Sequence, residues 1–188
     1  MGEEMKLPGL IDRAYEQGGE VVAGVQPDQL ELPTPCDEWN VRQLLNHMVG
    51  GMHMFAMGAR GDDPDMEAIT GDMLGDDPSS AFDDAARIAN EAWRSEGALE
   101  REITIPVGAF PGSVAANICL FEAAVHAWDL ATATGQPFHL DPDVASTCIE
   151  FTSGFGEQQR RGPFGPAVVP AEDATDTERL VAWLGRRP

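Results

Sequence analysis

Apolar residues recur every three or four positions along most of the chain, which is the spacing of amphipathic helices. The first such stretch covers residues 8–25, and Pro8 suits the first turn of a helix. The second begins at Asn40, whose side chain can cap a helix while Gln43, three residues later, completes a capping box. Its apolar face continues to Phe55, and glycines then end the helix.

The same signals predict four further helices. The third covers residues 77–96, the fourth covers residues 113–134 with Ser113 as its cap, the fifth begins after Asp141, and a short last helix covers residues 175–185. The fourth is apolar on nearly every side, which is typical of a helix buried in the middle of a fold.

The remaining segments lack helical periodicity. Residues 61–77 carry many acids and no base, which indicates a solvated loop. Residues 99–107 partly alternate and favour a short extended crossover over a full sheet strand, and an extended tail follows residues 162–166. Together, these helices and segments predict an all-α four-helix bundle with short additional helices and an extended C-terminal tail, in a single domain over residues 1–188.

The composition of the chain narrows the binding partners and the cellular location that we expect. The chain has 188 residues, of which 43% are hydrophobic, so it can bury a sizeable core and is not globally disordered. Its formal charge of −20 repels phosphate groups, so we expect neither a nucleic-acid nor a membrane partner. Three widely spaced cysteines without a CxxC pair, and an N-terminus without an apolar leader, predict a cytoplasmic protein.

Candidate chemistry lies on the apolar fourth helix, because that helix also carries Glu122 and His126. Polar groups on a buried helix need partners, and residues four apart lie on one helix face. Two ligands at this spacing can bind one metal ion, and a third must come from a facing helix. His47 is the natural candidate, and two histidines with one glutamate form a catalytic zinc set. Alternatively, the two histidines are simply hydrogen-bonded core residues.

Other chemically active residues fit the cluster less well. Asp129, one turn after His126, either orients that histidine from outside the ligand set or lies at the solvent edge of the helix. Cys119, one turn before Glu122, is expected to be a small core hydrophobe, and the alternative is a thiolate ligand that would close the metal site. Cys36, in a proline-bounded loop, is expected to be more exposed, where its thiol could react. His53 does not share a helix face with His47. His139 is expected in a loop.

Two segments resemble a known family. Residues 34–47 read Thr-Pro-Cys-Asp-Glu-Trp-Asn-Val-Arg-Gln-Leu-Leu-Asn-His, and residues 122–131 read Glu-Ala-Ala-Val-His-Ala-Trp-Asp-Leu-Ala. Both resemble the N-terminal domain of mycothiol-dependent maleylpyruvate isomerase, in the DinB/YfiT-like superfamily of metal-binding four-helix bundles. The resemblance spans nearly the whole chain.

The resemblance implies a particular chemistry. The family's ligand set of His, Glu and His falls on His47, Glu122 and His126. It implies Zn²⁺, with Ni²⁺ or another divalent ion as alternatives, and a low-molecular-weight thiol such as mycothiol as cosubstrate. The isomerase proper has a second, C-terminal domain for which we expect no counterpart in these residues, so maleylpyruvate is a weaker expectation than the metal site.

Three functional hypotheses follow. The first is a metal- and thiol-dependent S-transferase or isomerase that acts on a small electrophile, and the second is a metal-dependent hydrolase with the same three ligands. The third is a non-catalytic metal- or ligand-binding stress protein. The expected partner is a small-molecule substrate, and a homodimer is one arrangement that the resemblance allows.

Overall fold

The computed structural model describes residues 6–37, 39–155 and 165–187. The helices are α1 Leu7–Ala23, α2 Val41–Arg60, α3 Met66–Ile69, α4 Pro78–Trp93, α5 Gly112–Thr134, α6 Pro142–Ser153 and α7 Asp176–Trp183, with a 3-10 helix at Pro27–Gln29. Strands β1 Glu102–Ile105 and β2 Gly108–Pro111 form a small antiparallel sheet. The chain divides into two compact units, Met1–Phe138 and His139–Pro188. The prediction of one domain over residues 1–188 stays a prediction.

The first unit is a four-helix bundle, as the sequence predicts. Helix α1 packs against α4 and α5, and α2 packs against the same two helices, so α1 and α2 stand at opposite corners. Each helix buries an apolar face in a common core. Its largest fully buried side chains are Trp93, Phe82, Ile11, Leu44, Leu45, Ile103, Leu120, Leu130, Val41 and Val49.

Helix α5 is the central helix of this bundle. Its side chains are buried on nearly every side, from Ala115 through Ala131. By length and composition α5 is apolar enough to cross a membrane, but 72% of its apolar window is buried inside the protein, and the core helix of a soluble bundle passes the same test. The prediction of a buried fourth helix is therefore confirmed.

The start of α2 is fixed by the predicted capping box. The backbone N–H of Gln43 donates to the side chain of Asn40 over 2.9 Å, and the backbone N–H of Asn40 donates to the side chain of Gln43 over 3.0 Å. At the other end Gly61 adopts φ 89°, the left-handed conformation that ends many helices. These two ends fix where α2 begins and ends.

Two predicted features of the connection before α5 are wrong. Residues 99–107 are not a lone crossover, because Ile103 pairs with Phe110 in a hairpin between β1 and β2. Ser113 is not a cap, because α5 begins at Gly112. Instead, the N–H groups of Gly112 and Ser113 donate to carbonyls of the incoming chain, at distances of 2.7 and 2.8 Å. These long-range acceptors replace the capping side chain.

Other differences are smaller. The acidic segment 61–77 contains the short helix α3 within the predicted loop. In the second unit, Asp141 caps α6 and Thr175 caps α7 through a capping box, as predicted. Residues 165–170 have neither helical nor strand structure, and the predicted tail start at 162–164 lies outside the described residues.

Candidate metal centre

The candidate centre begins with two residues on consecutive turns of α5. His126 follows Glu122 by four positions, and its Nε2 lies 3.2 Å from Glu122 Oε2. The surrounding residues of α5 are apolar and buried, so these two polar groups can satisfy one another at low cost. The helical spacing in the sequence therefore predicts this contact correctly.

Helix α2 supplies the third residue. His47 Nε2 lies 3.2 Å from the same Oε2 atom of Glu122, although the two residues are 75 positions apart. The two imidazole rings stand edge to face, with centroids 4.9 Å apart. One ligand atom from each of His47, Glu122 and His126 can be chosen so that all lie within 4.8 Å of one another. The structure thus brings together the three residues that the sequence indicates.

This donor set fits a divalent ion. Two neutral imidazole nitrogens and one carboxylate oxygen are ligands that Zn²⁺ accepts, and a site with only three protein ligands leaves a position open. The side chains of His47 and Glu122 are 38% and 35% exposed, whereas that of His126 is 9% exposed. One side of the cluster is therefore accessible. Their role as metal ligands stays a prediction.

Hydrogen bonds within the cluster and to Asp129 shift the pKa values of Glu122 and His126. Burial alone would raise the pKa of Glu122, but hydrogen bonds from His126 and His47 outweigh it and hold that pKa well below its usual value. Burial alone would lower the pKa of His126, but its hydrogen bonds, led by that to Asp129, raise the pKa well above 6.5. In the metal-free protein this raised pKa favours the imidazolium form of His126, whose ring lies between two carboxylates. A metal ion must replace its Nε2 proton.

The sequence leaves two positions open for Asp129, beside His126 or at the solvent edge of α5. The structure places it beside His126. Its side chain is fully buried, and its Oδ2 lies 3.1 Å from His126 Nδ1. A hydrogen bond at Nδ1 holds the ring in place and directs Nε2 toward Glu122. Asp129 does not lie at the solvent edge of α5.

Cys36 and Trp39 also surround the centre, and neither contact is evident from the sequence. The Cys36 thiol donates to Asp129 Oδ2 over 3.4 Å, and Cys36, His126 and Asp129 form a second group of close ligand atoms. The Trp39 ring lies 4.3 Å from the His47 ring, tilted by 30°. Both residues come from the loop before α2, and its position against α5 is a long-range property.

The other candidate residues lie outside the cluster. Cys119 is buried, its Sγ lies 3.0 Å from the Tyr15 hydroxyl, and burial raises the pKa of its thiol to about 12. It is a core residue, as expected. His53 is on α2 but is in neither group of close ligand atoms, and burial lowers its pKa. His139 lies in an irregular segment of the second unit.

Comparison with known proteins identifies the family. Residues 11–131 match the family model described as the mycothiol maleylpyruvate isomerase N-terminal domain. The chain belongs to this family. Two uncharacterized proteins of Mycobacterium tuberculosis, from strains CDC 1551 / Oshkosh and ATCC 25618 / H37Rv, are each 32% identical to it over 93% of this chain and 94% of their own length.

Two solved structures share the fold. The crystal structure of the mycothiol-dependent maleylpyruvate isomerase superposes with a TM-score of 0.60 at 17% identity, and covers 77% of this chain and 67% of that chain. A histidine-to-alanine mutant of a mycothiol-dependent maleylpyruvate isomerase gives a TM-score of 0.57 at 14% identity, with the same coverage. At these identities the likeness establishes the DinB-like helical fold.

In this member of the maleylpyruvate isomerase N-terminal domain family, the cluster opens into an apolar cavity of about 240 Å³. Besides His47, Glu122 and His126, its walls include Tyr15, Met48, Gly51, Met52, Met54, Phe55, Phe82, Ile105, Pro106, Val107, Ile118 and Cys119. A compact, mostly apolar space beside a few polar groups is typical of a small-molecule site.

A second, larger space of about 710 Å³ also has His47 in its wall. Its walls are more polar and include Trp39, Arg42, Gln43, Asn46, His47, Thr70 and Asp72. Arg42 and Asp72 form an ion pair over 3.3 Å across this groove. Two spaces of different character therefore flank the same histidine.

Proposed function

We propose that this protein is a metal- and thiol-dependent enzyme of the S-transferase or isomerase class, acting on a small electrophilic substrate. The convergence of His47, Glu122 and His126 beside an apolar cavity carries the proposal. The ion would be Zn²⁺ or another divalent metal, and the cosubstrate a low-molecular-weight thiol of the mycothiol type. Family membership supports the thiol, since the related isomerases are described as mycothiol-dependent.

Each residue of the centre has a distinct role in this proposal. His47 and His126 present Nε2 atoms and Glu122 presents a carboxylate oxygen, from two helices that pack against each other in the bundle. Asp129 keeps the His126 ring in the orientation that directs Nε2 into the cluster. Trp39 lies against the ring of His47 and restricts its rotation. The apolar cavity excludes water from the reacting carbon.

The chemistry follows from the reactivity of thiols. A divalent ion held by these three residues would lower the pKa of a thiol or a water molecule that joins its open position. The thiol gives up its proton to solvent, sulfur forms a bond to an electrophilic alkene carbon, and the C=C π pair shifts toward the conjugated carbonyl to give an enolate. Rotation about the resulting C–C single bond, followed by return of that pair to the C=C bond as the C–S bond breaks with its electrons leaving on sulfur, gives an isomer. If the enolate instead takes up a proton from solvent, the product is a thioether.

Elemental analysis of the purified protein without an affinity tag tests the metal site. We expect about one divalent ion per chain in the wild type and its loss in His126→Ala and His47→Ala. His53→Ala is the matched control, because His53 lies on the same helix as His47 but outside the cluster. Wild-type protein that stays folded, contains no metal and takes up no zinc on addition would refute the proposal.

Thiol dependence then separates this function from the hydrolase hypothesis. The zinc-loaded protein is assayed with maleylpyruvate and with other small unsaturated acids, each with and without mycothiol. Turnover that requires the thiol supports the proposal, whereas hydrolytic turnover of small esters or amides without thiol would replace it by the hydrolase. The cytoplasmic location and the homodimer stay predictions.

A further inference from the structure

We propose that Cys36, His126 and Asp129 form a second cation site, distinct from the candidate centre of His47, Glu122 and His126, for a thiophilic divalent ion such as Cd²⁺ or excess Zn²⁺. The ion lies on the Nδ1 side of the His126 ring, whereas the candidate centre uses Nε2. The inference does not depend on the proposed function, because neither His47, Glu122 nor the apolar cavity takes part in it.

The first observation is that the hydrogen bonds of the two clusters have the same pattern. In the candidate centre, Glu122 Oε2 lies 3.2 Å from one nitrogen of each histidine. In the second cluster, Asp129 Oδ2 lies 3.1 Å from His126 Nδ1 and 3.4 Å from Cys36 Sγ. In both, a single carboxylate oxygen faces two other atoms that bind metals. One cation can take the place of the protons between these atoms.

The distances within the second cluster are the second observation. Around a tetrahedral ion with bonds of about 2.3 Å to sulfur and about 2.0–2.1 Å to nitrogen and oxygen, the ligand atoms lie about 3.3–3.6 Å apart. The Oδ2–Sγ distance of 3.4 Å and the Oδ2–Nδ1 distance of 3.1 Å are close to these values. All three ligand atoms lie within 4.8 Å of one another. Only small side-chain movements are therefore needed to coordinate an ion.

The loop before α2 holds Cys36 in this position through its own hydrogen bonds. The backbone N–H of Cys36 donates to the Thr34 hydroxyl over 3.1 Å, and that hydroxyl donates to the Trp39 carbonyl over 2.8 Å. The backbone N–H of Trp39 donates to the Cys36 carbonyl over 2.9 Å. Cys36 is half-buried, whereas Asp129 is fully buried. The cysteine side of the cluster is therefore the accessible one.

The donor atoms determine which ions the second cluster takes. Thiolate sulfur binds soft ions in preference to Mg²⁺ or Ca²⁺, which prefer oxygen ligands. A thiolate and a carboxylate together carry two negative charges, which match those of a divalent cation. An imidazole that binds ions at both nitrogens must lose both ring protons. An ion at Nδ1 of His126 therefore weakens binding at Nε2, so the second site opposes the candidate centre.

Titration of Glu122→Gln with Co²⁺, a spectroscopic substitute for Zn²⁺, tests the second site. Glutamine weakens the candidate centre but keeps an acceptor oxygen for the Nε2 proton of His126, which leaves Nδ1 to bind the ion. We expect a near-ultraviolet thiolate-to-cobalt absorption band that saturates at one Co²⁺ per chain. Equimolar Cd²⁺ should remove the band, and excess Mg²⁺ should not.

The cysteines of α5 and of the loop before α2 provide matched variants. In the Glu122→Gln background, Cys36→Ser should lose the band and bind Co²⁺ at least tenfold more weakly. Cys119→Ser should keep both the band and the affinity. Cys119 is the matched control, because it lies on α5 one turn before Glu122 and its Sγ instead contacts Tyr15.

The outcomes distinguish this inference from the proposed function. A folded Glu122→Gln protein that gives no thiolate band with Co²⁺ would overturn the second site, and so would a band that persists in Cys36→Ser. Removal of the band by Mg²⁺ would overturn the assignment to thiophilic ions. His47→Ala also weakens the candidate centre, and it replaces Glu122→Gln in the same titrations if that variant does not fold. None of these results decides the proposed function, which the metal content and the thiol-dependent turnover of the wild type test.

Discussion

Replacement of Asp129 by asparagine should weaken metal binding without removing a ligand. Asp129 is fully buried, and its Oδ2 receives hydrogen bonds from His126 Nδ1 over 3.1 Å and from Cys36 Sγ over 3.4 Å. Loss of such a partner behind a metal-binding histidine lowers affinity about 10- to 100-fold, which is about 1.4–2.7 kcal/mol. Asparagine keeps the shape and one acceptor oxygen, so we expect a loss near tenfold at pH 8.

The difference in zinc affinity between the wild type and Asp129→Asn should depend on pH, and the contacts of Asp129 predict the direction of that dependence. In the metal-free protein Asp129 raises the pKa of His126, and zinc must displace the Nε2 proton. The wild type therefore loses affinity as soon as the pH falls below that raised pKa. Asp129→Asn lowers the pKa of His126, so the zinc affinity of this variant begins to fall only at a lower pH. The advantage of the wild type should shrink between pH 8 and pH 6.

Competition titration with a chromophoric zinc chelator at both pH values measures these affinities. Asp84→Asn is the matched control, because it makes the same change of net charge at a side chain that is 68% exposed. Cys36→Ser keeps a donor to Asp129 and should change affinity less than about threefold. A wild-type advantage that is absent, or that is the same at pH 8 and pH 6, would refute the role assigned to Asp129.

Three further predictions concern the bundle. Cys119, with a pKa of about 12, should escape alkylation by iodoacetamide at pH 8 until the protein unfolds, as peptide mass mapping would show; rapid native labelling would contradict its burial. Burial lowers the pKa of His53, so the unfolded state binds more protons below pH 6.5 and stability falls there; urea unfolding should show a shallower fall in His53→Gln. Gly58→Ala should destabilise by about 1 kcal/mol, since overpacking against Ile103 outweighs the gain in helix propensity. In an Ile103→Ala background the same change should become neutral or stabilising, and an unchanged cost would locate the strain elsewhere.

Local signals explain why much of the fold could be predicted. Asn40 and Gln43 specify the start of α2 through a bond that spans only three residues, and Gly135 ends α5 in the left-handed conformation with φ 70°. The hairpin is not predictable from local signals, because its stability depends on the partner strand and on contact with α2. The start of α5 is not predictable from Ser113 for a related reason, since carbonyls of Leu99 and Arg101 satisfy its first N–H groups.

The candidate centre could be predicted in part because its polar residues lie on an otherwise apolar helix. Glu122 and His126 are polar residues on an otherwise apolar helix, so a partner is required whatever the tertiary structure. His47 could be inferred from its position near an apolar stripe. The contacts of Cys36 and Trp39 could not, because they depend on how the loop before α2 packs onto α5.

The charge balance of the candidate centre would differ with and without a bound ion. Without metal, the imidazolium of His126 lies between the carboxylates of Glu122 and Asp129, and its proton compensates part of their negative charge. A divalent cation in place of that proton would compensate the charge of both carboxylates. Replacing Glu122 by Gln would leave one carboxylate beside His126 and would remove one of the three candidate ligands together with its negative charge. We therefore expect Glu122→Gln to lose zinc affinity by more than Asp129→Asn, while the metal-free protein remains folded. Equal zinc affinity in Glu122→Gln and wild type would contradict this account of the charge balance.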